Sequence, residues 1–133
     1  MTFHLKIVTP DGLIYDGQAE QLIVRTITGD VAILARHINY VAPLGMGRAV
    51  VIADGKRRMG ACIGGMLSVV DGEVTLVPTT FEWADEIDMG RAKKAHAKAQ
   101  GVLDNSEASE TDLKLAEAKL RRSLVRQSVA DFK

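Results

Sequence analysis

Alternation of apolar and polar positions dominates the first two thirds of the chain. Phe3, Leu5 and Ile7 fall on one face of residues 2–8, with His4 and Lys6 on the other, the period-2 pattern of a half-buried strand. Similar apolar runs recur, separated by Pro10-Asp11-Gly12, Asp16-Gly17, Thr28-Gly29-Asp30, Asp54-Gly55 and Asp71-Gly72. Each separator reads as a turn, and the Asp-Gly pairs supply the positive φ angles of tight hairpins. Residues 50–52 are expected to pair across Asp54-Gly55 with 59–63, and 66–70 across Asp71-Gly72 with 74–77. No helix of useful length interrupts these runs, so an N-terminal antiparallel β-sandwich is expected rather than a parallel α/β sheet.

From residue 87 the period becomes helical. Ala92, Ala95, Ala99 and Val102 follow three-four-three spacing and predict one apolar face, while Arg91, Lys94 and Lys98 make a basic row on another. Asp88 is placed to cap the helix N-terminus. Gly101 and Asp104-Asn105-Ser106 break the pattern, after which Ser109 or Thr111 caps a second helix carrying Leu113, Ala116, Leu120 and Leu124. Lys119, Arg122 and Arg126 form a second basic row away from those leucines. The expected architecture is a β-sandwich domain over residues 1–86 followed by an antiparallel two-helix hairpin over residues 87–133.

The seam of that hairpin is weak, because alanine offers little apolar area at about 25 cal/mol per Å². Gly90, in the first turn, lowers helix stability by about 1 kcal/mol relative to alanine. Such a hairpin is expected to undock or straighten without unfolding the β-domain.

Composition sharpens the division. The 133 residues carry 17 Lys+Arg and 17 Asp+Glu, a net charge of zero that argues against a general nucleic-acid binder. Residues 1–86 hold 7 basic against 10 acidic side chains and residues 87–133 hold 10 against 7, so the two parts carry −3 and +3. All three prolines and ten of the twelve glycines lie in the first part. Cys62 has no partner, which excludes an internal disulfide and favours a reducing compartment. No leader or membrane span is expected, since no segment approaches the roughly 18 apolar residues needed to cross a bilayer. His4 and His37 lack companions at metal-ligand spacing, so no metal is assigned. No nucleophile elbow, P-loop or dinucleotide turn frames the Ser, His and Asp residues, so an independent enzyme is not expected.

Short motifs in a fixed order then carry a resemblance over essentially the whole chain. They are Phe3-His4-Leu5-Lys6-Ile7-Val8-Thr9-Pro10, Gly29-Asp30 before Val31-Ala32-Ile33-Leu34, His37, Gly64-Gly65 before Met66-Leu67-Ser68-Val69, and Val74-Thr75-Leu76. Ile87-Asp88-x-x-Arg91-Ala92 resembles an I/L-D-x-x-R-A motif, and Ser128-Val129-Ala130-Asp131 a characteristic ending. Together they resemble the ε subunits of bacterial F-type ATP synthases. The chain departs from that pattern at Arg36-His37-Ile38-Asn39, where Gly-His-x-Pro is usual, and at Ala32, where glycine is common.

The resemblance implies a non-catalytic rotor subunit. Its β-sandwich would sit on the central stalk with the γ subunit and the c-ring, coupling ion flow to ATP synthesis at the cytoplasmic face of the membrane, with no direct insertion. Its hairpin would be a switch, compact against the sandwich or extended along γ toward the catalytic α and β subunits, where it impedes ATP hydrolysis. No cofactor is required, and ATP is implied as a regulatory ligand of the hairpin through Glu82, Ile87, Asp88, Arg91, Ala92, Lys98, Arg122 and Arg126. Arginine forks and a lysine suit phosphate oxygens, and Glu82 and Asp88 suit adenine or ribose donors. Two plainer readings stand beside this one. The basic rows also read as solvated helix faces, and Asp88 as a cap alone. The rival function is a nucleic-acid or ribosome-associated module that presents the basic hairpin to phosphates.

Overall fold

The computed structural model describes residues 1–105 and 107–131, so Ser106, expected in the inter-helix break, and the last two residues of the expected hairpin domain lie outside the described residues. The chain divides into two compact units, residues 1–83 and the remainder from Ala84. The helical unit takes in a single 3₁₀ turn, Ala84–Glu86, ahead of the 86/87 boundary expected from the sequence.

The first unit has nine strands: β1(Phe3–Thr9), β2(Gly12–Ala19), β3(Gln21–Thr26), β4(Gly29–Leu34), β5(Tyr40–Ala53), β6(Lys56–Ile63), β7(Met66–Val70), β8(Glu73–Val77) and β9(Thr80–Trp83). One sheet runs β2-β1-β8-β7 and ends on the first part of β5; the other runs β4-β3, the second part of β5, β6 and β9. β5 serves both because residues 40–43 pair with β7 and residues 46–53 with β6. The crossing needs glycine: a Cβ at Gly47 would lie 2.6 Å from Arg25 Cβ. Leu5, Ile7, Leu67, Val69, Val74 and Leu76 of the first sheet meet Leu22, Val24, Ile33, Val51 and Cys62 of the second in one buried core.

The two expected hairpins form about the expected turns, although residues 50–52 pair with 57–59 and residues 60–63 with 46–49. Asp54 and Gly55 have φ of 53° and 72°, and Asp71 and Gly72 have 49° and 84°, so both central residues of each turn are left-handed, as in type I′ turns. Two expectations are corrected. Asp16-Gly17 is no turn: both residues lie inside β2, opposite Lys6 and Leu5, with Gly17 needing no positive φ. The sandwich is not wholly antiparallel either, since β8 returns beside β1 in parallel over His4↔Glu73 to Ile7↔Leu76. That pairing joins segments about 70 residues apart and so leaves no local sequence signal.

The helical unit holds α1(Met89–Leu103) and α2(Glu110–Ala130). Asp88 Oδ1 accepts the Arg91 N–H at 3.1 Å, and Ser109 Oγ accepts the Asp112 N–H at 3.1 Å, so both helices start on side-chain caps. Gly101 does not break α1, which continues to Leu103. The packed seam also differs from the expected one. Ala92 and Ala99 in α1, and Ala116 and Ser123 in α2, are buried at seven-residue spacing, whereas Ala95 and Leu124 are exposed. A seven-residue repeat of small side chains keeps one stripe facing the partner helix and allows close approach. Ser123 fits because its hydroxyl donates to the Leu120 carbonyl at 2.8 Å.

Candidate functional site: the basic face of the hairpin

At 100° per residue, Arg91 and Lys98 lie about 20° apart around α1, and Arg122 and Arg126 about 40° apart around α2. Each pair flanks the buried seam, Ala92 and Ala99 on one helix and Ser123 on the other. A groove of about 510 Å³ lies over the loop end of that seam, lined on one wall by Ala95, Lys98, Ala99 and Val102, on the other by Asp112, Leu115, Ala116 and Lys119, and at its end by Asn105, Glu107 and Ala108. Leu115 and Lys119 share the α2 flank that bears Arg122 and Arg126, just as Lys98 shares the α1 flank that bears Arg91. The same face of the hairpin therefore carries Arg91, Lys98, Lys119, Arg122 and Arg126.

Along the axis these residues are spread out. Arg91 and Lys98 are separated by about 10 Å at 1.5 Å per residue. In an antiparallel hairpin whose first helix ends at Leu103 and whose second begins at Glu110, Arg91 lies level with the Arg122 region, and Lys98 with the Ala116 region. Helix position therefore sets Arg91, Arg122 and Arg126 toward the open end of the hairpin, and Lys98 and Lys119 on the walls of the groove floored by alanines. Arg122 is half-buried, its Nε–H directed at the Ala118 carbonyl at 3.4 Å, which leaves the rest of the fork for another acceptor.

Other expected site residues take different places. Asp88 is exposed and its Oδ1 is engaged as the cap. Ile87 and Ala92 are buried, so they support the site through packing. Glu82 belongs to the other unit, half-buried on β9 and paired with Ala61 of β6. Next to it, Trp83 is 5% exposed, with the Arg58 guanidinium 3.8 Å from its ring centroid and Phe81 edge-on at 4.9 Å. Among the described residues no group of three or more His, Cys, Asp or Glu is placed to hold a metal ion.

Sequence reasoning missed one polar constellation. His4 on β1 sits between Asp16 of β2 and Glu73 of β8, its Nε2 2.5 Å from Asp16 Oδ1 and its Nδ1 2.6 Å from Glu73 Oε2. Hydrogen bonds to Asp16 and then Glu73 raise the His4 pKa above 6.5, and the bond to His4 lowers that of Asp16. Alternation alone marks His4 as outward-facing; its partners follow only from the register of both neighbouring strands.

Both units match known families. Residues 2–84 match the family described as ATP synthase, Delta/Epsilon chain, beta-sandwich domain, and residues 85–131 the family described as ATP synthase, Delta/Epsilon chain, long alpha-helix domain. The ATP synthase epsilon chain of Ruminococcus albus is 39% identical over 132 residues, covering 98% of both chains. That of Bacillus velezensis is 40% identical over 129 residues, covering 97% of each. In fold, the chain is similar to one in the Euglena gracilis mitochondrial ATP synthase, with a TM-score of 0.85 at 23% identity over 99% of this chain and 82% of that one. It is also similar to a chain in the central stalk and c-ring of the Tetrahymena thermophila mitochondrial ATP synthase, with a TM-score of 0.68 at 11% identity over 96% and 95%. With both units matched in order and relatives aligned from end to end, the chain belongs to the ATP synthase epsilon chain family.

Proposed function

We propose that this chain is a non-catalytic central-stalk subunit of an F-type ATP synthase, with a hairpin that restrains ATP hydrolysis and takes ATP as its regulatory ligand. The observation that carries the regulatory part is the convergence of five cationic side chains on one face of a thinly packed hairpin. Phosphate oxygens bridging Arg91 on α1 and Arg122 and Arg126 on α2 would tie the two helices together through charge-assisted bonds. ATP at about 100 times its dissociation constant would favour the closed hairpin by about 2.7 kcal/mol if the straightened form does not bind. That is large beside a seam of alanines and a serine. Without ATP the hairpin straightens, and its basic rows meet acidic surface on the catalytic α and β subunits.

The rotor part is supported by the outer face of the first sheet. Register aligns Pro43, Met66 and Val77 in one cross-strand row, and Val41 lies in the next. Val41 is 62% exposed and Met66 and Val77 are each 44% exposed. A contiguous exposed apolar patch marks a protein contact, and we assign it to the γ subunit, with the c-ring beside it. No described helix is long and apolar enough to cross a membrane, so the chain would reach the cytoplasmic face through these partners. The full-length relatives are ATP synthase chains, which favours this reading of the basic rows over the nucleic-acid one.

The test is an ATP titration of the isolated protein by calorimetry and by Trp83 fluorescence, together with co-purification with γ and the c-ring. Saturable binding and co-purification are expected. Calorimetry without heat at millimolar ATP would remove the nucleotide from the proposal, and failure to capture γ would remove the rotor.

A further inference from the structure

His4 lies in the one parallel seam of the sandwich, where β1 joins β8, and β2 is an edge strand held to the sheet only through β1. Its ring is about one-third exposed, with side-chain accessibility of 34%, so it exchanges protons with solvent. Both ring nitrogens face carboxylate oxygens, at 2.5 Å for Asp16 and 2.6 Å for Glu73. An ionised carboxylate only accepts, so both contacts are satisfied together only when both ring nitrogens carry hydrogen, as in the imidazolium. A neutral ring has one N–H, and its other nitrogen then presents a lone pair to a carboxylate.

We propose that His4, Asp16 and Glu73 form a proton-operated clamp, closed by the imidazolium across β2, β1 and β8 and released on one arm when the ring loses its proton. The charged and polar surroundings are few. On its own strand Lys6 lies two residues along the same face and interacts with Asp16. On β2, Gln18 is directly opposite His4 and Asp16 stands diagonally; on β8, Glu73 is its register partner. Two carboxylates hydrogen-bonded to the ring, against the one ammonium of Lys6 opposite Asp16, favour the charged ring, in agreement with its raised pKa.

The sign of the pH effect follows. The His4 pKa is raised in the folded protein, so the clamp is fully closed below about 6.5 and is lost as pH rises through the folded value. The Asp16 pKa is depressed, so its arm persists above 3.8 and opens as pH falls through its own folded value. Between these limits the edge hairpin β1–β2 is pinned at the end nearest the crossover to β3. Above them one of the two arms is lost, and β2 keeps its ladder with β1, the packing of Ala19, Ile14 and Tyr15 on the core, and whichever arm the remaining N–H serves.

The experiment is an NMR titration of the His4 ring in the full chain, with amide exchange of β2 followed over the same pH range and corrected for intrinsic chemistry. The expected result is a His4 midpoint above 6.5 and a fall in protection of β2 amides as that midpoint is crossed. In the Asp16→Asn/Glu73→Gln variant the midpoint returns to about 6.5. In His4→Gln, which carries no titrating ring, protection of β2 becomes independent of pH over that range. These positions are partly exposed, and the single variants Asp16→Asn and Glu73→Gln, each expected to lower the midpoint part-way, give the same information should the double variant fold poorly. A wild-type midpoint at or below 6.5, a midpoint unmoved by removal of both carboxylates, or β2 protection indifferent to the titration would overturn the clamp.

Discussion

Gly60 is covered by the ring of Phe81 so closely that a Cβ on Gly60 would lie 2.3 Å from Phe81 Cζ and 2.7 Å from Cε1. The ring has little room to retreat, because it packs edge-on against Trp83 at 4.9 Å, which in turn lies under the Arg58 guanidinium at 3.8 Å. Gly60→Ala is therefore expected to destabilise the β unit by about 1–3 kcal/mol, the usual cost of overpacking. Urea unfolding followed by Trp83 fluorescence checks this, with a lower midpoint and an unchanged slope expected. Gly101→Ala, where nothing lies within 4 Å of the added carbon, should instead stabilise α1 by up to about 1 kcal/mol. An unshifted midpoint for Gly60→Ala would mean that the aromatic stack gives way without cost.

Cys62 is 2% exposed in the sandwich core, and burial pushes its thiol up to about 12. The thiol is thus neutral at any working pH, and labelling by an aromatic disulfide at pH 8 should require unfolding. Its linkage runs in one direction. Because the folded pKa exceeds the ordinary 9.0, the folded state retains a proton that the unfolded chain loses, and stability should decline as pH rises from about 9 toward 12. Cys62→Ala should flatten that part of the profile. Rapid labelling of the folded protein at pH 8 would contradict the burial argument.

What the sequence revealed depended on how local the deciding interaction is. Asp54-Gly55 and Asp71-Gly72 were legible because two adjacent residues set their own positive φ angles. Asp16-Gly17 has the same letters but lies within β2, where pairing to β1 outweighs turn preference and Asp16 is engaged by His4. The parallel β1–β8 contact and the His4 constellation depend on partners as far apart as positions 4 and 73, which no period displays. In the hairpin, hydrophobicity favoured Leu124 for the seam, yet size chose Ser123, because only small side chains permit the close helix approach. The basic rows were legible from spacing alone. Their assignment to a nucleotide came from family resemblance, and the structure adds that five of the cations share one face.

Asp88 has two separable roles. Its Oδ1 accepts the Arg91 N–H at 3.1 Å, so Asp88→Ala should cost about 1 kcal/mol of hairpin stability, seen as reduced helicity at 222 nm on heating. Asp88→Asn keeps a good cap while removing the charge. If Asp88 contacts ATP through its charge, Asp88→Asn should retain helicity and lose affinity. If Asp88 is only a cap, Asp88→Asn should bind ATP as well as the parent, and Asp88→Ala should bind less well only in proportion to its lost helix.

Arg122 and Arg126 stand beside the seam rather than in it, so truncating either should leave the hairpin folded. Each charge-assisted bond is worth about 1.5–3 kcal/mol, so Arg122→Ala should weaken ATP binding by about tenfold or more. Arg122→Lys should recover only part of this, since a lysine offers a point charge in place of a planar fork. Calorimetry at fixed salt measures both. Equal affinities across the series would remove phosphate contact from the role of Arg122.

The small-residue seam gives the sharpest test of the helical unit. Ala99 is 3% exposed and shares the floor of the groove with Ala116, itself 4% exposed. Ala99 is buried on the side that meets α2, so the added bulk of Ala99→Leu is expected to force the helices apart at a cost of about 1–3 kcal/mol rather than to be taken up by the groove. Leu124, 48% exposed, points away, and Leu124→Lys should change stability by less than about 0.5 kcal/mol despite removing a leucine. The two outcomes are opposite to those of a leucine-packed hairpin, in which Leu124→Lys would be disruptive and Ala99→Leu would improve packing. Helix signal at 222 nm and Trp83 fluorescence, recorded in one thermal scan, separate the units, since Trp83 lies in the β unit. Ala99→Leu should lower the helical transition alone and, on the proposed role of the arginines, with it the ATP affinity, because Arg91 and the Arg122–Arg126 pair come from different helices and share one face only while the seam is closed.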